Sequence, residues 1–233
     1  APLEAYVTGG CLAGERKSVE PMAARLDPRH VRARHQSMHH LVANAPWEDG
    51  AVLRVARDLV LEALERHGPV AAWIVDDTGI SKKGRHSVGV ARQYCGVLGK
   101  QENCQVAVTL TLANEAVSVP VAYQLYLPES WARDVKRRRL ASVPKDVSFR
   151  TKWQIALEQI AALRREELPP AAVVADAGYG VVTGFREALS RQGIPYVVGI
   201  SGETSVWPPG TEPLPPPRWQ GRGRPVTLLR RSA

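Results

Sequence analysis

Cysteine is scarce in this chain. There are three in 233 residues, Cys11, Cys95 and Cys104, and no C-x-x-C pair. An odd number without paired spacing argues against a disulfide framework or a zinc ribbon and fits a reducing cytosol. No apolar run is long enough to cross a bilayer. The opening APLEAYVTGG has no basic segment followed by an apolar one, so no secretory signal is read there. The chain opens on Ala1 rather than Met, which reads as a start inside a longer gene product. Aromatic residues make up only 6%, and with the basic excess this argues against a sugar cleft built on paired carboxylates. Gly84, Gly89, Gly96 and Gly99 are scattered without the spacing of a phosphate-binding loop, so a nucleotide site has little support.

Positive charge is what the chain does have. Thirty-one Lys and Arg against 23 Asp and Glu leave a net charge of +8. Such a balance favours an anionic partner, nucleic acid ahead of an anionic membrane face. An Arg-rich, GC-rich genome is the competing explanation of the same excess. Apolar residues at 44% and charged residues at 23% are ordinary for a globular protein of one or two domains.

Residues 1–68 read as helical. Val19–Ala24 is a short amphipathic piece. His35 and His39 share a helix face at zinc-compatible spacing, but no acid or Cys completes a ligand set nearby, and solvated histidines are the simpler reading. Val52, Val55, Ala56, Leu59, Val60, Ala63 and Leu64 follow the spacing of a buried stripe, stopped by Gly68 and Pro69. An apolar run, Val70–Val75, then predicts a buried strand ending in Asp76 and Asp77, with a turn at Thr78 and Gly79. Lys82, Lys83, Arg85 and Arg92 follow and are expected to gather around the acids. Cys104–Leu112 and Val117–Leu127 alternate and predict an antiparallel hairpin. Residues 128–150 read as an irregular basic connection. Thr151 opens a helix with Gln154 three residues on, its buried stripe being Trp153, Ala156, Leu157, Ile160 and Ala161.

A second apolar run, Ala171–Ala175, again ends in a carboxylate, Asp176. A helix over 183–192 and a strand over 194–200 follow, which implies a parallel strand–helix–strand unit. The predicted class is α/β: a mixed sheet with an antiparallel hairpin at one side and a parallel unit at the other. From residue 201 the chain is rich in Pro and Arg (Pro208, Pro209, Pro213, Pro215, Pro216, Pro217 and Pro225; Arg218, Arg222, Arg224, Arg230 and Arg231). It reads as a linker or the start of an inserted region.

Two acids at the ends of neighbouring strands would converge although they are 100 positions apart. Such a pair suits Mg²⁺ or Mn²⁺ acting on a phosphodiester. An Asp after a strand also serves simply to start a turn or cap a helix. Asp77, pointing to the opposite face from Asp76, would support the site or pair with Lys82 or Lys83. A dehalogenase-type phosphatase would place its two Asp one residue apart, whereas these are adjacent.

GERKSVEPMAARL (14–26), HQSMHHLVANAPW (35–47), VDDTGISKKGRHSVGVARQYCGVLGKQENCQVAV (75–108), LYLPESWARD (125–134), FRTKWQIALEQI (149–160), ADAGYG (175–180) and VWPPG (206–210) together resemble bacterial insertion-sequence transposases of the DDE superfamily. The resemblance implies an RNase H-like catalytic domain in which three acids hold two Mg²⁺ or Mn²⁺ ions for DNA strand cleavage and strand transfer. It makes Asp76 and Asp176 the first two acids, catalytic and metal-binding, and assigns Lys82, Lys83, Arg85 and Arg92 to DNA phosphates.

The implied organisation is a DNA-end-binding helical region at 1–68, an incomplete RNase H-like core at 69–200, and the Pro/Arg-rich segment at 201–233. The implied partner is double-stranded DNA, at transposon ends and target, in the cytoplasm of a bacterium at the nucleoid, with no membrane and with a homodimer left open. The family's third acid is a Glu on a helix further downstream, so the chain reads as a truncated transposase. Glu203 stands in a Gly/Ser turn and is not promoted to that role. A catalytically inactive DNA-binding remnant is the alternative, and a metal-dependent phosphohydrolase of small substrates a third reading.

Overall fold

The computed structural model describes residues 1–208, 210, 211, 214–225 and 227. Pro209, Pro213, Arg230 and Arg231 of the Pro/Arg-rich segment lie outside the described residues. The chain divides into two compact units, Ala1–Val55 and Ala56–Ala233.

The first unit is helical, as expected. It contains α1 (Pro2–Cys11), α2 (Val19–Leu26), α3 (Val31–Ala43) and the first turns of α4 (Asp49–Glu65). Met22, Ala23 and Met38 form its core, lined by Ala5, Tyr6, Val19, Leu26 and Val31. The His35 and His39 rings sit 5.8 Å apart on α3, as their spacing requires.

The helix α4 forms where expected but does not bury the expected stripe. Val52, Val55 and Leu59 are exposed, while Arg57 and Leu64 are buried and Val60 and Leu61 pack against the core of the second unit. The stripe was misread because Arg57 interrupts the apolar pattern of the true face. Its guanidinium is ion-paired to Glu166, which makes burial of the charge tolerable.

The second unit is a mixed α/β layer structure. Its strands are β1 (Ala72–Ser81), β2 (Ala91–Cys95), β3 (Lys100–Ala113) and β4 (Ser118–Leu125). Then come α5 (Glu129–Arg133), α6 (Val135–Leu140), α7 (Lys152–Arg165), β5 (Ala172–Ala175), α8 (Ala177–Gly180), α9 (Thr183–Arg191) and β6 (Tyr196–Val198). Among the described residues the sheet has six strands in the order β2-β3-β1-β5-β6, with β4 also paired to β3. The pairs β1–β3, β2–β3 and β3–β4 are antiparallel; β1–β5 and β5–β6 are parallel. This is the mixed, RNase H-like arrangement expected from the sequence.

The alternation read in β3 is real. Cys104, Val106, Val108, Leu110 and Leu112 are all buried. They share one core with Val75, Ile155, Ile160, Leu163, Val173, Phe185 and Leu189, so α7 and α9 cover the sheet. Asn114 closes the β3–β4 hairpin. Its Oδ1 accepts from the N–H groups of Ala116 (3.0 Å) and Val117 (2.9 Å), and its Nδ2 donates to the carbonyls of Leu64 and Gly68. The capping expected at α7 is present, the Thr151 N–H donating to Gln154 Oε1 at 2.8 Å. Its buried face is Ile155, Ala156, Gln159, Ile160 and Leu163. Trp153, Leu157 and Ala161 of the expected stripe flank that face half-buried, because Gln159 takes an inner position by donating to the Val108 carbonyl at 3.0 Å.

Residues 128–150 are not irregular throughout. They hold α5 and α6, organised by the fully buried Trp131, whose Nε1 donates to the Val90 carbonyl at 2.7 Å. No helix among the described residues is long and apolar enough to cross a membrane.

Candidate functional site

The parallel register of β1 and β5 decides where the acids lie. Ala72 pairs with Ala172 and the ladder ends at Val75 with Ala175. The next residue on each chain is an Asp. Neighbouring strands are spaced about 4.8 Å apart, so Asp76 and Asp176 start side by side, both solvent-exposed. Asp76 Oδ1 accepts from the Asp77 N–H at 2.7 Å. Asp176 Oδ1 accepts from the N–H groups of Gly178 (2.9 Å) and Tyr179 (3.4 Å), capping α8. The second oxygen of each carboxylate has no protein partner among the described residues. Asp176 thus serves as a cap and still presents an open oxygen. The turn after it is held tight, because a Cβ at Gly180 would overlap the Gly199 carbonyl oxygen that follows β6.

The strand carrying Asp76 does not stop there, contrary to the sequence reading. β1 runs on to Ser81, with Thr78 and Gly79 paired to Ala107 and Val106 of β3 rather than forming a turn. The long β3 supplies ladder partners beyond the point where β5 ends. Gly79 reflects crowding, since a Cβ there would come within 2.8 Å of Cys95 Sγ.

Asp77 lies on the opposite face from Asp76, as strand alternation requires. It pairs with neither Lys82 nor Lys83. Its Oδ2 accepts from Lys152 Nζ at 2.5 Å, and its Oδ1 from the Tyr179 hydroxyl at 2.6 Å. Lys152 is the first residue of α7 and Tyr179 lies in α8, so three elements meet at this carboxylate. Tyr179 is buried. Burial first, and then the charge and hydrogen bond of Asp77, push its phenol far above the usual tyrosine range. The hydroxyl is therefore a fixed donor at any ordinary pH.

The basic residues do not surround the acids. Lys82 stands six residues beyond Asp76 along an extended strand, roughly 20 Å away at the usual rise. What the fold does bring together is the turn itself. The Lys82 N–H donates to the Asn103 carbonyl at 2.9 Å, and Arg92 is paired in register with Asn103. Asn103 Nδ2 donates to the carbonyls of Lys82 (2.6 Å) and Gly84 (3.0 Å), and Arg137 Nη2 donates to the Arg85 carbonyl at 2.7 Å. Lys83, Arg85 and Arg92 are exposed and Lys82 is half-buried. The backbone of a basic turn is pinned while its cationic tips stay in solvent.

No group of three or more His, Cys, Asp and Glu able to hold a metal ion forms among the described residues. Asp76 and Asp176 form a pair, and Glu203 lies in the turn after β6, its N–H donating to Ser201 Oγ. Sequence reading missed Lys152 and Tyr179. Tyr179 could have been suspected from its place three residues after Asp176. Lys152 carried a subtler signal, a cation at the start of a helix where acids are favoured.

Residues 1–233 match the model of a family described as DDE superfamily endonuclease. A curated protein of Microchaete diplosiphon, named a probable transposase for insertion sequence element IS701, is 30% identical over 196 residues, which is 84% of this chain and 47% of that protein. The chain thus spans about half the length of the curated relative it matches. With the family model matched from end to end and the mixed sheet in place, the chain belongs to the DDE superfamily endonucleases.

Proposed function

We propose that this chain carries the first two acids, Asp76 and Asp176, of a metal-dependent enzyme that cleaves and transfers DNA strands in transposition. The single observation that carries the reading is the β1–β5 register, which sets the two carboxylates next to each other at the end of the ladder. The donor set suits the group. Two exposed carboxylates, each with an open oxygen, offer the hard ligands that Mg²⁺ and Mn²⁺ prefer. When bound there, such an ion would activate a water or a 3′ hydroxyl for attack on a phosphodiester.

The chain's own residues do the rest. Asp176 is fixed by its cap on α8, so its open oxygen has a defined direction. Asp76 is fixed by the ladder on its β3 side, where the Thr109 hydroxyl donates to its carbonyl at 3.0 Å. Lys82, Lys83, Arg85 and Arg92 would take phosphates of double-stranded DNA at a distance from the acids, positioning the duplex rather than taking part in the chemistry. The relative named a transposase supports this assignment of substrate, and its greater length supports a third acid supplied from outside these residues.

Calorimetric titration of the chain with Mn²⁺, beside Asp76→Ala and Asp176→Ala, tests the reading. Binding lost in both variants is the expected result. Binding that survives either substitution would remove that residue from the metal site. In a full-length protein the same substitutions should abolish metal-dependent DNA cleavage and leave DNA binding nearly intact.

A further inference from the structure

Lys152 stands where helix electrostatics disfavour it. It is the first residue of α7, and the first turn of that helix contains no acid. The N-terminus of a helix carries partial positive charge, so a cation there is unfavourable by itself. The structure shows what offsets this. Lys152 Nζ is 2.5 Å from Asp77 Oδ2, both side chains being about two-thirds buried, with 33% and 30% of their surfaces exposed. The ammonium also lies 5.7 Å from the centroid of the Tyr126 ring. A local preference overridden in this way marks a working position more often than a framework one.

The charge around it gives the reason. Asp76, Asp77 and Asp176 all act electrostatically on the Tyr179 phenol, which places three carboxylates about one side chain. Among the described residues, Asp76 and Asp176 enter no ion pair and Asp77 pairs with Lys152. Three uncompensated acids would repel a DNA phosphate. Lys152 neutralises one of them, and Tyr179 fixes the same carboxylate by its other oxygen. An ammonium and a divalent cation compete for carboxylate oxygens, and the ammonium is a point charge on a flexible four-carbon stem, free to change partners.

Resting on the metal–acid reading above, we propose that Lys152 is an exchangeable cation of the acid site: it holds Asp77 while no divalent ion is bound, and turns to a DNA phosphate oxygen once one is. Lys152 is then a positioning residue with two partners, an acid of its own chain and the substrate backbone.

The test compares the chain with Lys152→Met and Lys152→Arg, with Lys152→Gln as a second neutral variant should the Met form fail to fold. Mn²⁺ affinity is measured by calorimetry, and affinity for a double-stranded oligonucleotide is measured with Mn²⁺ present over a range of salt. With the competing ammonium gone, the neutral variant should bind Mn²⁺ roughly 2- to 5-fold more tightly, the scale of a partly exposed ion pair. Its DNA affinity should fall, with the salt slope reduced by about one counterion. Lys152→Arg should restore the DNA term. A neutral variant with unchanged or weaker Mn²⁺ binding overturns the proposal alone, the parent chain having bound the ion. So does DNA affinity that ignores the substitution. Failure of both parent and neutral variant to bind Mn²⁺ overturns it together with the reading beneath it, whereas binding by the neutral variant only would show Lys152 holding the ion out.

Discussion

The three thiols differ in their surroundings, and that difference is measurable. Cys11 is exposed, while Cys95 and Cys104 are buried. Burial, and then the neighbouring Cys95, push the Cys104 thiol above its ordinary range. A folded thiol that holds its proton more tightly than the unfolded one contributes stability that is complete below the ordinary thiol pKa. That contribution declines as pH rises past it. A thiol-reactive chromophore should therefore label one cysteine rapidly in the native chain. The other two should react only as the protein unfolds, even near pH 9, and three fast equivalents would contradict the packing of the β2–β3 hairpin. At this scale the sequence was readable where chemistry and pattern coincide. Asp76 and Asp176 stand out because apolar runs stop at them. Lys152 did not, because its partner is 75 positions away and nothing local to FRTKWQ announces an acid across the sheet.

Elements were legible in proportion to how uniformly their residues repeat. β3 alternates cleanly, and the cap of α7 is written in Thr151 and Gln154, so both lie close to where they were expected. β1 overran its predicted end because strand length here is set by the partner, and β3 continues to pair as far as Ser81. β2 is only five residues long, too short to declare a period. The helices α5 and α6 were hidden by their basic composition, yet one residue organises them. Trp131 is fully buried, donates to the Val90 carbonyl, and carries the Arg137 guanidinium 3.7 Å above its ring centroid. Arg137 in turn holds the Arg85 carbonyl, so the short helices brace the basic turn. Trp131→Ala should cost about 3–5 kcal/mol in denaturant unfolding, as large buried aromatics do. Hydrogen exchange should accelerate through residues 82–90 before it does in β3 or α7. Uniform loss of protection would instead mean that Trp131 supports the whole core.

Over the whole chain, the fold class followed from the order of elements: a strand ending in an acid, a hairpin, a helix, then a second such strand and a parallel return. What that order could not give is distance. The sequence sets Lys82 six residues from Asp76 and suggests one site, but an extended strand turns those six residues into a separation of roughly 20 Å. Net charge of +8 predicts attraction to DNA without saying where it acts, and this can be separated experimentally. Lys82→Ala with Lys83→Ala removes two positive charges from the pinned turn. The backbone contacts of Asn103 with the carbonyls of Lys82 and Gly84 remain available in that variant, so the fold should be kept. Arg66→Ala with Arg191→Ala removes the same charge from the end of α4 and from α9, both exposed. If phosphates are held by the turn, the first pair should weaken binding to a double-stranded oligonucleotide and reduce the salt slope by about one to two, close to 0.9 per phosphate released. The second pair should leave the slope nearly unchanged. Equal effects from both pairs would show that the chain binds DNA through its overall charge alone, and the turn would lose its assignment.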